Sequence, residues 1–155
     1  MTSNQSARSQ NYTAAFQMHR AALQDLYAAL PDDRGDFKAW EGGMSFVGLA
    51  DHLSATSARL PAMLRSEKPA PAAAGSANMQ EARQRLADSS QQTVQMLAEM
   101  GDGDFDRHVV AFGGREMPVG ALMDFIVNHE AHHKGQAWLM ARMLDVQPPF
   151  FVKLG

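Results

Sequence analysis

Apolar residues recur every three or four positions through four long stretches of the chain, the spacing of one face of an α-helix. In the first, from about Gln10 to Leu30, a single stripe holds Phe16, His19, Leu23, Leu26 and Leu30, and Pro31 with Asp32 and Asp33 stops it. The second follows a loop carrying Phe37 and Trp40. Ser45 is placed to cap it, and its stripe runs Phe46, Leu49, Leu53, Thr56, Leu60 and Leu64; Pro61 should kink or end it near the last turn. A third covers about Asn78 to Met100, with Leu86, Val94, Leu97 and Met100 among its apolar positions, and the turn from Gly101 to Gly103 ends it. The fourth opens near Pro118, which suits a first helical turn, and runs to about Asp145.

The connections complete the outline. "EKPAPAAAGSANM" is rich in proline, alanine and glycine and reads as a crossover loop, too short to separate two cores. In "FDRHVVAFGGREM", alternation around a Gly-Gly pair suggests a short hairpin before the last helix. The fold predicted is all-α: a four-helix bundle with long crossover connections and that hairpin. A chain of 155 residues is one domain by length, taken as residues 1–155, with 1–9 expected to be flexible.

Composition narrows the function. The net charge is −3 and no run of lysine or arginine stands out, which argues against nucleic acid as a partner. The polar start "MTSNQSARSQNY" has no apolar core of a secretory signal, and no apolar stretch approaches the length of a membrane span. A cytoplasmic protein is expected. There are no cysteines, so disulfides, zinc-thiolate sites and a protein thiol nucleophile are all excluded, and any metal must be held by nitrogen and oxygen.

The candidate chemistry lies in "FIVNHEAHHKGQAWLMARML", Phe125 to Leu144, where three of the six histidines fall within five residues. His129 and His133 are one helical turn apart, with side chains about 6 Å from each other, and can share one ion. The ladder Leu122, Ile126, Met140 and Leu144 passes through His129, His133 and Gln136, so both histidines face the core. His132 is also in reach of His129 but lies on the flank with Phe125 and Leu139, and direction favours His133. Glu130 points towards a polar side with Lys134. "HEAHH" contains the zinc-protease string, yet no suitable third ligand follows downstream, only Asp145 on the same helix. A third ligand from another helix fits better. His52, beside Leu49 and Leu53, has no structural need for an imidazole and is the choice; His19, also on a core stripe, could approach the same centre. Asp51, Gln136 and Glu130 are candidates for orienting ligands or water. The competing reading is of hydrogen-bonded core histidines, but burying several imidazoles without a shared partner costs a few kcal/mol, which one cation relieves.

Two segments resemble the DinB/YfiT-like family of damage-inducible four-helix proteins. "GALMDFIVNHEAHHKGQAWLMARMLDVQPP" is similar to the family's closing helix, with its histidine pair, Gly-Gln and following Pro-Pro; "MSFVGLADHLSATSARL" is similar to the segment where a serine opens a helix and a histidine-leucine pair follows. Together they frame nearly the whole chain, although 67–117 carries little family signature. The resemblance implies a divalent metal, zinc or nickel, held by one histidine of the second helix and two of the last, which correspond to His52, His129 and His133.

Such a site keeps at least one open position and can activate a bound water or thiol. The wider superfamily includes bacillithiol transferases and a mycothiol-dependent isomerase. The resemblance therefore implies a metal-dependent thiol S-transferase in stress response or detoxification, taking its sulfur from a low-molecular-weight thiol and acting on a small-molecule substrate. The alternatives are a non-catalytic metal- or small-ligand-binding stress protein and a metal-dependent hydrolase. No catalytic residue and no thiol-binding motif is identifiable. Trp40 is placed at the site mouth or as a plug of the bundle. Trp138, on the side of its helix opposite the histidines, and the closing "PPFFVKLG" suggest a homodimer contact.

Overall fold

A computed structural model of the protein describes residues 5–155. Its helices are α1 (Ala7–Ala29), α2 (Phe46–Leu64), α3 (Met79–Ala98) and α4 (Val119–Met143), with an antiparallel hairpin of β1 (His108–Ala111) and β2 (Arg115–Pro118) before the last. The all-α, four-helix reading and the hairpin both stand. The first three helices open where a short polar side chain satisfies a free backbone N–H. Ser6 Oγ accepts from Ser9 N at 3.2 Å, Ser45 Oγ from Gly48 N at 3.0 Å, and Asn78 Oδ1 from Glu81 N at 2.9 Å. Pro61 lies inside α2, in its last turn, and the helix ends at Leu64.

The start of the chain departs from expectation. Residues 1–4 lie outside the described residues, but α1 begins at Ala7 instead of near Gln10, and residues 6–9 are anchored. Ser9 is buried with its hydroxyl donating to Leu97 O, and Arg8 donates to Asp106 Oδ1 at 2.8 Å and, through its backbone, to Asp102 Oδ1 at 3.0 Å. These anchors are polar, so a search for apolar periodicity passes over them.

Helix α1 packs on α3 and α4, and α2 packs on the same two, which sets α1 diagonally opposite α2. The 30–45 connection therefore crosses one diagonal and the 99–118 segment, with its hairpin, crosses the other. Only α2 and α3 are neighbours both in space and in sequence, joined by the 65–78 crossover. The hairpin turn runs through Phe112, Gly113 and Gly114 at φ of 49°, 74° and 108°. Two glycines supply the left-handed backbone cheaply, and Phe112 is forced into it.

The core has two apolar halves. Leu23, Leu26, Tyr27, Phe46, Leu49 and Trp138 belong to one, and Phe16, Leu60, Leu97, Phe105, Leu122 and Ile126 to the other. Between them sits Arg20, wholly buried. Its Nε and Nη2 donate to the two carboxylate oxygens of Glu130 on α4; Nη1 donates to Ser89 Oγ on α3 at 2.8 Å, and Nη2 to Ser57 Oγ on α2 at 2.9 Å. One side chain from α1 thus touches all three other helices. A buried charge pair persists when further hydrogen bonds satisfy it, as here.

The C-terminal segment returns along α1 and α4. Trp138 Nε1 donates to Pro149 O at 3.1 Å, Lys153 N to Met18 O at 2.9 Å, and the Lys134 ammonium to Phe151 O. Trp138, expected to await another subunit, is instead 6% exposed beneath the chain's own tail. Among the described residues no helix is long and apolar enough to cross a membrane.

Candidate metal centre

Three histidines meet in the seam between α2 and α4. His52 projects from the second turn of α2, and His129 and His133 project from successive turns of α4. One ring nitrogen from each falls within 4.8 Å of the others. The His52 and His129 Nε2 atoms are 3.0 Å apart, and the three ring centroids are separated by 4.6 to 4.9 Å. Burial rises from exposed His52 through His129 to buried His133, so the centre is closed on the core side and open past His52.

Protonation states follow from the surroundings. His133 Nδ1 is 2.7 Å from Gln136 Oε1; donating its proton there leaves the Nε2 lone pair free. Burial, followed by the charges of His133 and His52, pulls the His129 pKa down to about 4. The His52 pKa is lowered as well, by burial first and then by His133 and Arg59. His129 Nδ1 is buried with no hydrogen-bond partner among the described residues.

This donor set fits a divalent cation. Facing imidazole nitrogens at 3.0 Å either share one proton as N–H···N or, with the ring proton of His129 on its unpartnered Nδ1, turn both lone pairs to a single cation. Ligands on a tetrahedral ion at 2.0–2.1 Å stand about 3.4 Å apart, near the 3.0 Å of the His52–His129 pair, with the His133 nitrogen within 4.8 Å of both.

The other residues singled out in the sequence go elsewhere. His132 is exposed; its ring lies 4.8 Å from that of His133 but is not in the cluster. Nδ1 of His19 takes a hydrogen bond from Lys134 Nζ at 3.0 Å on the α1 side. Glu130, expected on a polar face, has both carboxylate oxygens on Arg20 in the core. Asp51 accepts from Ser76 N and Oγ, each at 2.6 Å, and so pins the end of the crossover. Of the three orienting candidates only Gln136 touches the histidines. Trp40 is exposed and lies over Gly43.

Two features were missed. Arg20 continues the Phe16, Leu23 and Tyr27 face of α1 at spacings of four and three, but a charged residue was not counted as core. Phe125 stacks on the His129 ring at 5.9 Å, and Phe112 of the hairpin turn leans on Phe125 at 4.6 Å, forming a half-exposed phenyl wall beside the centre.

Comparison with known proteins bears on this arrangement. Three solved structures share the fold. A DinB-like protein of Bacillus subtilis is 22% identical with a TM-score of 0.75, over 94% of this chain and 99% of that one. A DinB-like protein of Bacillus cereus ATCC 10987 is 17% identical with a TM-score of 0.78, over 90% and 95%. YfiT of Bacillus subtilis, described as a probable metal-dependent hydrolase with an unusual four-helix bundle topology, is 15% identical with a TM-score of 0.71, over 90% and 89%. Comparison with curated proteins gives no match. The DinB superfamily profile matches residues 15–137, so the chain belongs to the DinB superfamily.

Proposed function

We propose that His52, His129 and His133 hold a divalent metal ion, and that the protein uses it to transfer a low-molecular-weight thiol to a small electrophile in detoxification. The observation that carries this reading is the convergence of three imidazole nitrogens, with proton uptake disfavoured at His52 and His129, on a centre open at one side.

A bound divalent cation supplies Lewis acidity that lowers the pKa of a coordinated thiol or water. The chain's own residues do the rest. Gln136 fixes the tautomer of His133. The phenyl wall of Phe112 and Phe125 flanks His129 with apolar surface. In the transfer, sulfur bonds to the electrophilic carbon, the leaving group departs with its electron pair, and the thiol proton passes to solvent.

The engagement of Glu130 and Asp51, the acids next to the histidines in sequence, favours thiol transfer over hydrolysis. Activating water is easier with a general base in hydrogen-bond reach, whereas the nearby acids Glu130 and Asp51 are engaged by Arg20 and Ser76. A thiol, with an ordinary pKa near 8.5, needs less help. The description of YfiT as a probable metal-dependent hydrolase supports hydrolysis as the second reading.

The test is elemental analysis of protein purified without a nickel column, followed by thiol consumption with an aryl halide. Near-stoichiometric metal should be lost in His52→Ala, His129→Ala and His133→Ala and kept in His132→Ala. A wild type that takes up neither zinc nor nickel when supplied defeats the metal reading. Metal-dependent ester cleavage without thiol consumption selects the hydrolase.

A further inference from the structure

A groove of about 880 Å³ runs between α2 and α3 beneath the 65–78 crossover, and His52 lies on its wall. Its size is that of a small-molecule site. Helix α2 contributes Ala55, Ala58 and Ala62, and the crossover contributes Pro69, Pro71 and Ala72, so most of the surface is apolar. The roof is fastened. Asp51 holds Ser76, and Arg85 donates to Ala74 O at 2.6 Å.

Charge in the groove runs against the charge of the chain. The whole protein carries −3, yet the groove is lined by four cations, Arg59, Arg65, Lys68 and Arg85, and three carboxylates, Asp51, Glu67 and Asp88. Two of these cations are internally matched: Arg65 pairs with Glu67 at 3.0 Å and Arg85 faces Asp51 at 3.5 Å. Asp88 accepts from Gln84 Nε2 at 2.8 Å. Arg59 and Lys68 have no carboxylate partner among the described residues. Arg59 is seven residues beyond His52 on the same face of α2, about 10 Å along the axis.

We propose that this groove is the binding site for the organic substrate, an amphiphilic carboxylate of narrow apolar body whose acid group sits on Arg59 and whose other end reaches His52. A guanidinium fork matches a carboxylate bidentately, and the alanine and proline walls accept an unbranched or planar body. The role of the reacting end rests on the metal-centre reading; the binding of the carboxylate does not.

The test is an amide NMR titration of the full chain with sodium hexanoate, hexan-1-ol and hexylammonium chloride, each with zinc-loaded and chelator-treated protein. Arg59→Gln and His129→Ala are titrated too, after circular dichroism shows them folded. Hexanoate should shift Ala55, Ala62 and Ala72 in wild type, in chelator-treated protein and in His129→Ala. Arg59→Gln should weaken hexanoate roughly tenfold, the value of one charge-assisted hydrogen bond, and leave hexanol unchanged. Hexylammonium binding as well as hexanoate, or Arg59→Gln binding hexanoate like wild type, overturns the proposal. So do shifts confined to the histidines that vanish on metal removal, which would make the carboxylate a metal ligand. A wild type that binds hexanoate in the groove but takes up no metal leaves this inference standing and defeats the metal-centre reading alone.

Discussion

Replacing Arg20 with methionine should remove a large part of the protein's stability without touching the metal centre directly. The guanidinium is wholly buried and Glu130 is 2% exposed, so the variant leaves a carboxylate in the core without a counter-charge. Breaking one side of such a pair costs about 3–5 kcal/mol. Ser57 and Ser89 lose less, because a hydroxyl can turn to its own helix, as Ser89 Oγ does towards Leu86 O at 3.3 Å. A domain of this size has about 5–15 kcal/mol in all, so the variant folds but with a thin margin. In urea, followed by far-UV circular dichroism, a slope of about 2 kcal/mol per molar puts the midpoint about 2 M lower. The double variant Arg20→Met with Glu130→Met removes both charges and fills much of the same space, and it should recover most of the loss. If Arg20→Met lies within about 1 kcal/mol of wild type, or the double variant is no more stable than the single one, the node is not what holds the halves of the core together.

Gln136→Leu removes the acceptor for His133 Nδ1 and should weaken zinc binding by about 10- to 100-fold in a competitive chelator titration, with the helical circular dichroism unchanged. The pKa of His129, near 4, and the lowered values of His52 and His19 set a pH dependence for the metal-free protein. An unfolded chain protonates these rings as pH falls through 6.5 and the folded one resists; stability is therefore complete above that pH and declines towards pH 4. Urea midpoints of chelator-treated protein should be lower at pH 5 than at pH 7.5, and the difference smaller in His129→Ala. Truncation after Gln147 strips the cover from Trp138 and should shift tryptophan emission to the red; unchanged emission would mean that the tail does not shield it.

Much of the fold was legible because it rests on apolar periodicity. Ser45 and the Gly-Gly turn are local signals, and the structure uses them as read. The histidine cluster was legible for a related reason: His129 and His133 interrupt an apolar ladder at its own spacing. What escaped was polar burial. Glu130 and Lys134 read as a solvated face because charges usually are. Yet α4 packs on α1 as well as α2, and its second buried side meets Arg20 and His19. Trp138 was misplaced for the same reason, since the tail that covers it carries no periodic signal. The groove under the crossover depends on how a proline-rich loop lies across two helices, which no spacing along the chain encodes.

For the metal site proposed at His52, His129 and His133, the position of Arg20 sets what kind of site it would be. Leu53 and Ser57, which accept from it on α2, follow His52 by one and five residues, and Glu130 on α4 is the neighbour of His129. The gap between the two histidine-bearing helices is thus held by a guanidinium that belongs to the protein. In a zinc finger the ion assembles its own ligands and the chain unfolds without it; a cation bound as proposed here would enter a gap that the fold itself already holds. Its arrival would not have to drive folding, and occupancy would follow local metal supply and the affinity order for imidazole, with exchange possible within the lifetime of one folded molecule.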